Sequence, residues 1–310
     1  MQFTVQYPLV RPAYDPGLTD ARTIARFAET AEAAGFDAIA FTEHPAPSHK
    51  WVASGGHDAY DPITALAACA ATTDRIALLP YALVLPYRNP LLLAKALATL
   101  DLMSGGRVKV GVGTGYLRSE FAAVGVPFEE RNQRFDEAVE AMIAIWTTDA
   151  MRGEGLAFKA VGQTSRPRPE QIPHPPFWIA GNSRRARERA AAYGEAWMPL
   201  LLDAERAATV RSPAIPTTND LAVLIEELHE LVAAAGRPAG SVAVQAEGAQ
   251  TLTLADDLPL GQHVDYLHGL ESVGVSWFVV DTPGTSVAKA LGALDRYGDE
   301  VIGPVKRAAG

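Results

Sequence analysis

A chain of 310 residues with 48% hydrophobic residues can bury a large core, and it fits one α/β barrel of roughly 250 residues or more without a second domain. The formal net charge of −9 and the absence of a dense Lys/Arg tract argue against nucleic acid or an anionic membrane as the main partner, so an anionic ligand must find a local positive site. The N-terminus has no basic region leading into a long apolar run, and no segment reaches about 18 uninterrupted apolar residues, which predicts a soluble, unexported, cytoplasmic protein acting on a small organic molecule.

In chain order, residues 3 to 9 read as a first strand that ends in Pro8-Leu9-Val10-Arg11-Pro12, with no glycine fingerprint for a dinucleotide. An amphipathic helix over 20 to 34 stops at Gly35, and 36 to 41 follow as a strand. Asp61-Pro62 and Asn89-Pro90 each place a side-chain cap before a proline whose missing N–H is harmless in a first helical turn. The single cysteine, Cys69, lies in an Ala-rich helical stretch and reads as a small buried thiol. Further strands are expected at 76 to 85, 107 to 113, 176 to 180, 195 to 200, 242 to 247 and 275 to 281. Between them, near 134 to 147, Phe135, Val139, Met142, Ile143 and Trp146 form one apolar helical stripe.

Eight alternating strand and helix units force a parallel sheet, and they close most naturally into an α/β (β/α)8 TIM barrel as a single domain over residues 1 to 310. An open doubly wound sheet is the runner-up, but it would put one phosphate loop near the N-terminus. Insertions are expected after strand 2 (45 to 60), after strand 4 (114 to 130) and before strand 5 (148 to 175). The last is read as an extended Pro-rich segment that serves an interface.

Barrel chemistry sits at the carboxyl ends of strands, which singles out His44 after Phe41-Thr42-Glu43 as a proton donor or acceptor, against the plain alternative of a hydrogen-bonded structural histidine. The stretch from Arg75 to Pro90 is too long and too interrupted by proline for an even strand, so it bends, either as a bulge or as a proline-initiated loop. After 176 to 180, Gly181-Asn182-Ser183 leads into Arg184, Arg185 and Arg187. Three cations in a first helical turn oppose the helix dipole unless an anion sits among them; a solvated arginine face is the alternative. Trp51, His49, His57 and Tyr60 decorate the loop after strand 2 as a cover for a hydrophobic substrate, or as ordinary loop packing. Trp197 and Asp281 stand near strand ends, facing either the pocket or the barrel layers, and Glu120 reads as a helix or loop anchor. The seven histidines show no metal-ligand spacing.

Residues 105 to 146, GGRVKVGVGTGYLRSEFAAVGVPFEERNQRFDEAVEAMIAIW, join an alternating valine strand, a turn with Gly111, Gly113 and Gly115, and a long amphipathic helix. The bare glycines allow a flat or phosphorylated ligand to lie against backbone. This stretch resembles the bacterial luciferase-like family of flavin- and deazaflavin-dependent oxidoreductases, and the resemblance extends over most of residues 1 to 200 and more weakly over 264 to 298. It implies an active-site histidine at His44 after an acidic Glu43, a cofactor-supporting bulge at Tyr81, Ala82 and Leu83 with a non-prolyl cis peptide at Ala82-Leu83, and a ring or ribityl wall of Thr114, Gly115 and Tyr116. It also implies a phosphate site at Gly181, Asn182 and Ser183, with Arg184 next to it as a further cofactor-binding residue, while Trp51, His57, Tyr60 and Trp197 are read from their positions in the chain as the substrate pocket. Tyr116 stands where some sugar-phosphate-oxidising relatives have glutamate, which argues against carrying over their acid-base scheme. The resemblance looks closest to members using coenzyme F420, with a reduced-FMN monooxygenase or a non-catalytic flavin-binding protein as alternatives. It implies a possible homodimer and a separate cofactor-reducing enzyme.

Overall fold

The computed structural model describes residues 1–9, 13–248 and 259–308. Val10, Arg11 and Pro12, at the end of the first predicted strand, lie outside the described residues. Among those described, the barrel sheet is built from β1 (Gln2–Gln6), β2 (Ala38–Phe41), β3 (Ala77–Pro80), β4 (Leu83–Val84), β5 (Val110–Gly113), β8 (Phe177–Ala180), β9 (Gly194–Met198), β10 (Ala243–Ala246) and β11 (Trp277–Asp281). All are parallel, in the order β3-β2-β1-β11-β10-β9-β8-β5-β4. β3 and β4 are two pieces of one barrel strand, and the bridge Leu78↔Val108 joins that strand to the next, curling the sheet into a ring. The eight predicted strands are thus present, one of them broken at the predicted bend.

Side chains alternate as a pleated strand requires. Ala38, Ala40, Ala77, Leu79, Trp178, Ala196, Met198, Trp277 and Val279 pack together in one cluster that fills the barrel. The alternate residues of the barrel strands, including Ile39, Phe41, Leu78, Val110, Val112, Ile179, Trp197 and Phe278, join the larger cluster under the helices. Gly111 belongs to this packing rather than to a ligand surface, because a Cβ there would lie 2.1 Å from the Pro80 carbonyl oxygen.

The helices α1 (Ala21–Ala33), α3 (Pro62–Ala70), α4 (Pro90–Met103), α6 (Arg131–Thr147), α7 (Arg184–Tyr193), α9 (Thr218–Ala234), α10 (Leu260–Ser272) and α11 (Val287–Tyr297) surround the ring. Asp61 and Asn89 cap α3 and α4 through side-chain oxygens, and Gly35 follows α1 with φ 90°. Cys69 is fully buried. α6 starts three residues before the stretch its apolar stripe marks, since the turn Phe128–Glu130 leads straight into it. Short helices α2 (His49–Ala53), α5 (Arg118–Ala123) and α8 (Ala204–Thr209) lie in the loops at the carboxyl ends.

The segment before β8 differs from expectation. Instead of being extended throughout, it opens with an antiparallel hairpin of β6 (Met151–Gly155) and β7 (Phe158–Gln163), then carries cis bonds at Arg166-Pro167 and Ile172-Pro173. Only Met151 and Ala160 of the hairpin are buried, too few for an apolar pattern to announce two strands. No helix among the described residues is long and apolar enough to cross a membrane.

Candidate active site

The carboxyl ends of the strands open into one cavity of about 1090 Å³. Its walls include His44, Ala82, Tyr116 and Ser183, drawn from four different strand ends.

The bend between β3 and β4 shapes one wall. Pro80 still pairs with Phe41, and the Tyr81 N–H donates to the Phe41 carbonyl, whereas Leu83 is already paired with Val112. The chain must turn between those pairings, and the cis bond falls at Tyr81-Ala82, one residue before the expected Ala82-Leu83. Leu83 correspondingly faces the helix-side core and does not line the cavity, while Tyr81, Ala82 and Val84 do. Glu43 braces the bend: its carboxylate accepts the Val84 N–H at 2.6 Å and is ion-paired with Arg88. Burial pushes the Glu43 carboxyl up, against the opposing pull of Arg88 and the Val84 N–H.

His44 Nδ1 lies 3.0 Å from Glu120 Oε2. Glu120, 1% exposed, also accepts the Ala46 N–H at 3.2 Å and the Tyr87 hydroxyl at 3.4 Å. A carboxylate receiving these donors places the histidine proton on Nδ1 and leaves Nε2 as the ring's other exchange atom. Trp51, His57 and Tyr116 surround the imidazole at ring-centre distances of 4.5, 5.0 and 6.0 Å. Burial, reinforced by the neighbouring His44, holds His57 below its ordinary pKa, although its hydrogen bond to the Asp58 carbonyl opposes this. Burial and then Glu120 push the Tyr116 phenol up to about 12, against the pull of Trp51.

Next to the bend, Ala82, Gly113 and Ala180 form a flat wall: a Cβ on Gly113 would come no closer than 3.7 Å to Ala180 and 4.0 Å to Ala82. Gly181, with φ 119°, turns the chain into α7, and Trp197 Nε1 donates to its carbonyl at 2.8 Å. Asn182 clips this loop to the next one, donating to the Leu200 and Pro213 carbonyls and accepting the Leu200 N–H, all within 2.8 Å. Ser183 caps α7 by accepting the Ala186 N–H.

The arginines that follow are not a bare cationic turn. Arg184 pairs with Glu188 and Glu227, Arg187 with Glu227, and Arg185 and Arg189 with Asp136. Arg184 does not line the cavity, whereas Arg185 and Arg189 do. The more concentrated positive charge comes from the neighbouring loops. Arg118 and Arg131 lie 4.1 and 4.0 Å from the centre of the Phe128 ring and Arg211 lies 6.0 Å from it, all three lining the cavity. Glu129 pairs with Arg118 at 2.6 Å. Burial, then repulsion from Arg118, holds the Arg131 guanidinium below its ordinary pKa, with Glu129 opposing and Arg211 adding to the effect.

The expected substrate residues divide. Trp51 and His57 line the cavity, and His49 does not. Tyr60 lines instead a separate space of about 240 Å³ behind His44 and His57, with its hydroxyl 3.5 Å from the Leu18 carbonyl. Trp197 is fully buried, because strand alternation turns Ala196 and Met198 into the barrel and Trp197 outward beneath the helices. It supports the Gly181 turn from behind through its indole N–H and does not line this cavity. Gln6, Glu120, Arg118, Arg131, Arg211 and Glu247 line the cavity without having been singled out as site residues.

Residues 1–257 match the family described as luciferase-like monooxygenase. An FMNH2-dependent dimethylsulfone monooxygenase of Pseudomonas putida is 34% identical over 170 residues, which is 54% of this chain and 45% of that protein, so the chain spans under half of that relative. An F420-dependent glucose-6-phosphate dehydrogenase of Amycolatopsis mediterranei is 27% identical across 88% of this chain and 85% of that protein. Two solved structures share the fold: a monooxygenase from Streptomyces bottropensis, with TM-score 0.77 and 24% identity over 98% of this chain and all of that one, and the coenzyme F420-dependent tetrahydromethanopterin reductase of Methanopyrus kandleri, with TM-score 0.72 and 19% identity over 98% of this chain and 99% of that one.

Proposed function

The chain belongs to the luciferase-like monooxygenase family, and from that premise we propose that it is an F420-dependent oxidoreductase acting on a small organic substrate. The relatives named above include both F420- and FMNH2-dependent enzymes, so the choice of coenzyme rests on this chain's own residues. The observation that carries it is the Arg118, Arg131 and Arg211 cluster around Phe128, beside the Gly181 to Ser183 turn. Three guanidiniums are offset by one paired carboxylate, Glu129, at the edge of the cavity. A single phosphate, as on FMN, is served by the turn and the start of α7; the long anionic tail of F420 also uses the arginines.

The cavity fits such a coenzyme. Ala82, Gly113 and Ala180 provide a wall without projecting side chains, and Gly181 brings backbone close. When bound, the deazaflavin ring supplies the hydride chemistry. The chain's own part is to bind, orient and handle a proton. Gly181, Asn182 and Ser183 hold the phosphate; Tyr81 and Ala82 back the ring, with Glu43 bracing the bend. His44 exchanges a proton with the substrate through Nε2, while Glu120 keeps the imidazole in register through Nδ1. Trp51 and His57 cover the imidazole and restrict water.

Titration of apoprotein with F420 and with FMN, followed by tryptophan quenching, tests the choice. F420 is expected to bind the more tightly, with an affinity that falls as salt rises and drops about ten-fold when Arg118 and Arg211 are both replaced by alanine, FMN being less affected. Tight FMN binding with no F420 binding would overturn the proposal.

A further inference from the structure

Arg88 does not line the cavity, yet it joins three elements that shape it. It stands between the turn Leu85–Tyr87, to whose Leu85 carbonyl its own N–H donates, and Asn89, which caps α4. From that fixed base the guanidinium reaches two carboxylates. Its Nη1 pairs with Glu43 Oε1 beyond the end of β2, and its Nη2 donates at 3.2 Å to Oδ2 of Asp61, the cap of α3. Glu43 in turn accepts the Val84 N–H on β4 at 2.6 Å. Val84 lies two residues after Ala82, and Glu43 directly precedes His44. One guanidinium therefore stands behind both the coenzyme wall and the proton-exchanging histidine.

The Glu43 side chain is 2% exposed. A carboxylate so buried keeps its charge only where a cation and donors face it; otherwise it takes up a proton. Burial pushes its carboxyl up, Arg88 from the turn and the Val84 N–H from β4 pull it down, and Asp61 from α3 adds to the push. Tyr87 faces the same charge from the turn, and its hydroxyl donates at 3.4 Å to Glu120, the carboxylate that holds His44. A protonated Glu43 accepts the Val84 N–H less strongly and brings an O–H of its own that needs an acceptor, so the start of β4 and the wall before it shift. We propose that Arg88 is a positioning residue: by keeping Glu43 charged, it fixes the depth of the Tyr81-Ala82 wall and with it the seat of the coenzyme ring. The inference rests on that wall backing the ring, as assigned above, and adds the residue that sets it.

Fluorescence titration with F420 between about pH 6 and about pH 9 tests this, each variant being compared with wild type at the same pH so that the coenzyme's own ionisation cancels. Arg88→Met is expected to bind about ten-fold more weakly than wild type at the lower pH and within about three-fold at the higher, where Glu43 loses its proton again. Arg88→Lys, which keeps the charge, is expected to stay within about three-fold throughout. Adding Glu43→Gln to Arg88→Met is expected to abolish the pH dependence, which a merely structural loss would not do. An Arg88→Met protein that binds as tightly as wild type at the lower pH, or one weakened equally at both, contradicts the proposal. So does a pH dependence that survives Glu43→Gln. Arg88→Lys binding that weakens toward the lower pH also contradicts it, and this arm decides where Arg88→Met does not fold. Wild type that takes FMN and not F420 overturns the coenzyme reading alone; the same titrations are then read with FMN, because the wall backs either ring. Wild type that takes neither overturns both.

Discussion

The His44 and Glu120 side chains act as one unit, joined at 3.0 Å. Replacing His44 with alanine removes the proton-exchanging Nε2 and is expected to lower turnover by about 10²- to 10⁴-fold, with coenzyme affinity kept. It also strips a buried carboxylate of one donor, so a stability loss of about 1–3 kcal/mol accompanies it. Turnover measured on the F420-loaded variant decides the role, and unchanged turnover would remove His44 from it. Glu247 makes a separate prediction. Its folded-state pKa, about 7, lies above the ordinary 4.5, so the folded chain holds this proton more firmly than the unfolded chain does. The stabilisation is therefore complete below pH 4.5 and disappears as pH rises through 7. Thermal unfolding from pH 4 to pH 8 should show the wild type losing stability relative to Glu247→Gln over that window; parallel curves would contradict the raised pKa. His44 was legible from sequence because a strand end fixes where it sits. Glu120 was quoted in the family motif but read only as an anchor, since its contact with His44 crosses 76 residues and two loops. Glu247 left even less trace, its partner Tyr81 being 166 residues away across the barrel.

At the scale of elements, β5 carries glycines with opposite duties. Gly111→Ala would drive a Cβ to 2.1 Å from the Pro80 carbonyl oxygen, and backbone on a neighbouring barrel strand cannot move aside. A loss of about 3 kcal/mol or more is expected, read as a lowered Tm. Gly113→Ala meets nothing closer than 3.7 Å, so the fold should tolerate it while the added methyl weakens coenzyme binding. The reverse pattern in Tm and affinity would contradict the placement of the flat wall. The strands themselves were readable because apolar runs between glycine-capped helices have few other solutions. The break between β3 and β4 was located to within a residue: prolines signalled a bend, but the pairings of Pro80 and Leu83 determine where the cis peptide falls. The hairpin of β6 and β7 was missed because its outward, polar residues bury almost nothing.

Across the whole molecule, charge is partitioned. Among the described residues of a chain of net charge −9, Arg118, Arg131, Arg185, Arg189 and Arg211 gather in the cavity beyond the ends of β5, β8 and β9, while Glu247 stands at the end of the adjacent β10, bridged to Leu200. Composition required only that a positive site be local; which arginines supply it depends on loops that converge after folding. The arginines next to Ser183 in sequence turned out to be largely matched by Glu227, Glu188 and Asp136, while the more concentrated patch is assembled from separate loops around Phe128. A crystal structure of the protein with F420 bound tests this most directly. The ring should lie against Tyr81-Ala82 and Gly113 with His44 on its open face, the phosphate at Gly181 to Ser183, and the tail beside Arg118, Arg131 and Arg211. A ring seated away from the β3 to β4 bend, or a tail running over Glu247 and Asp281, would contradict it.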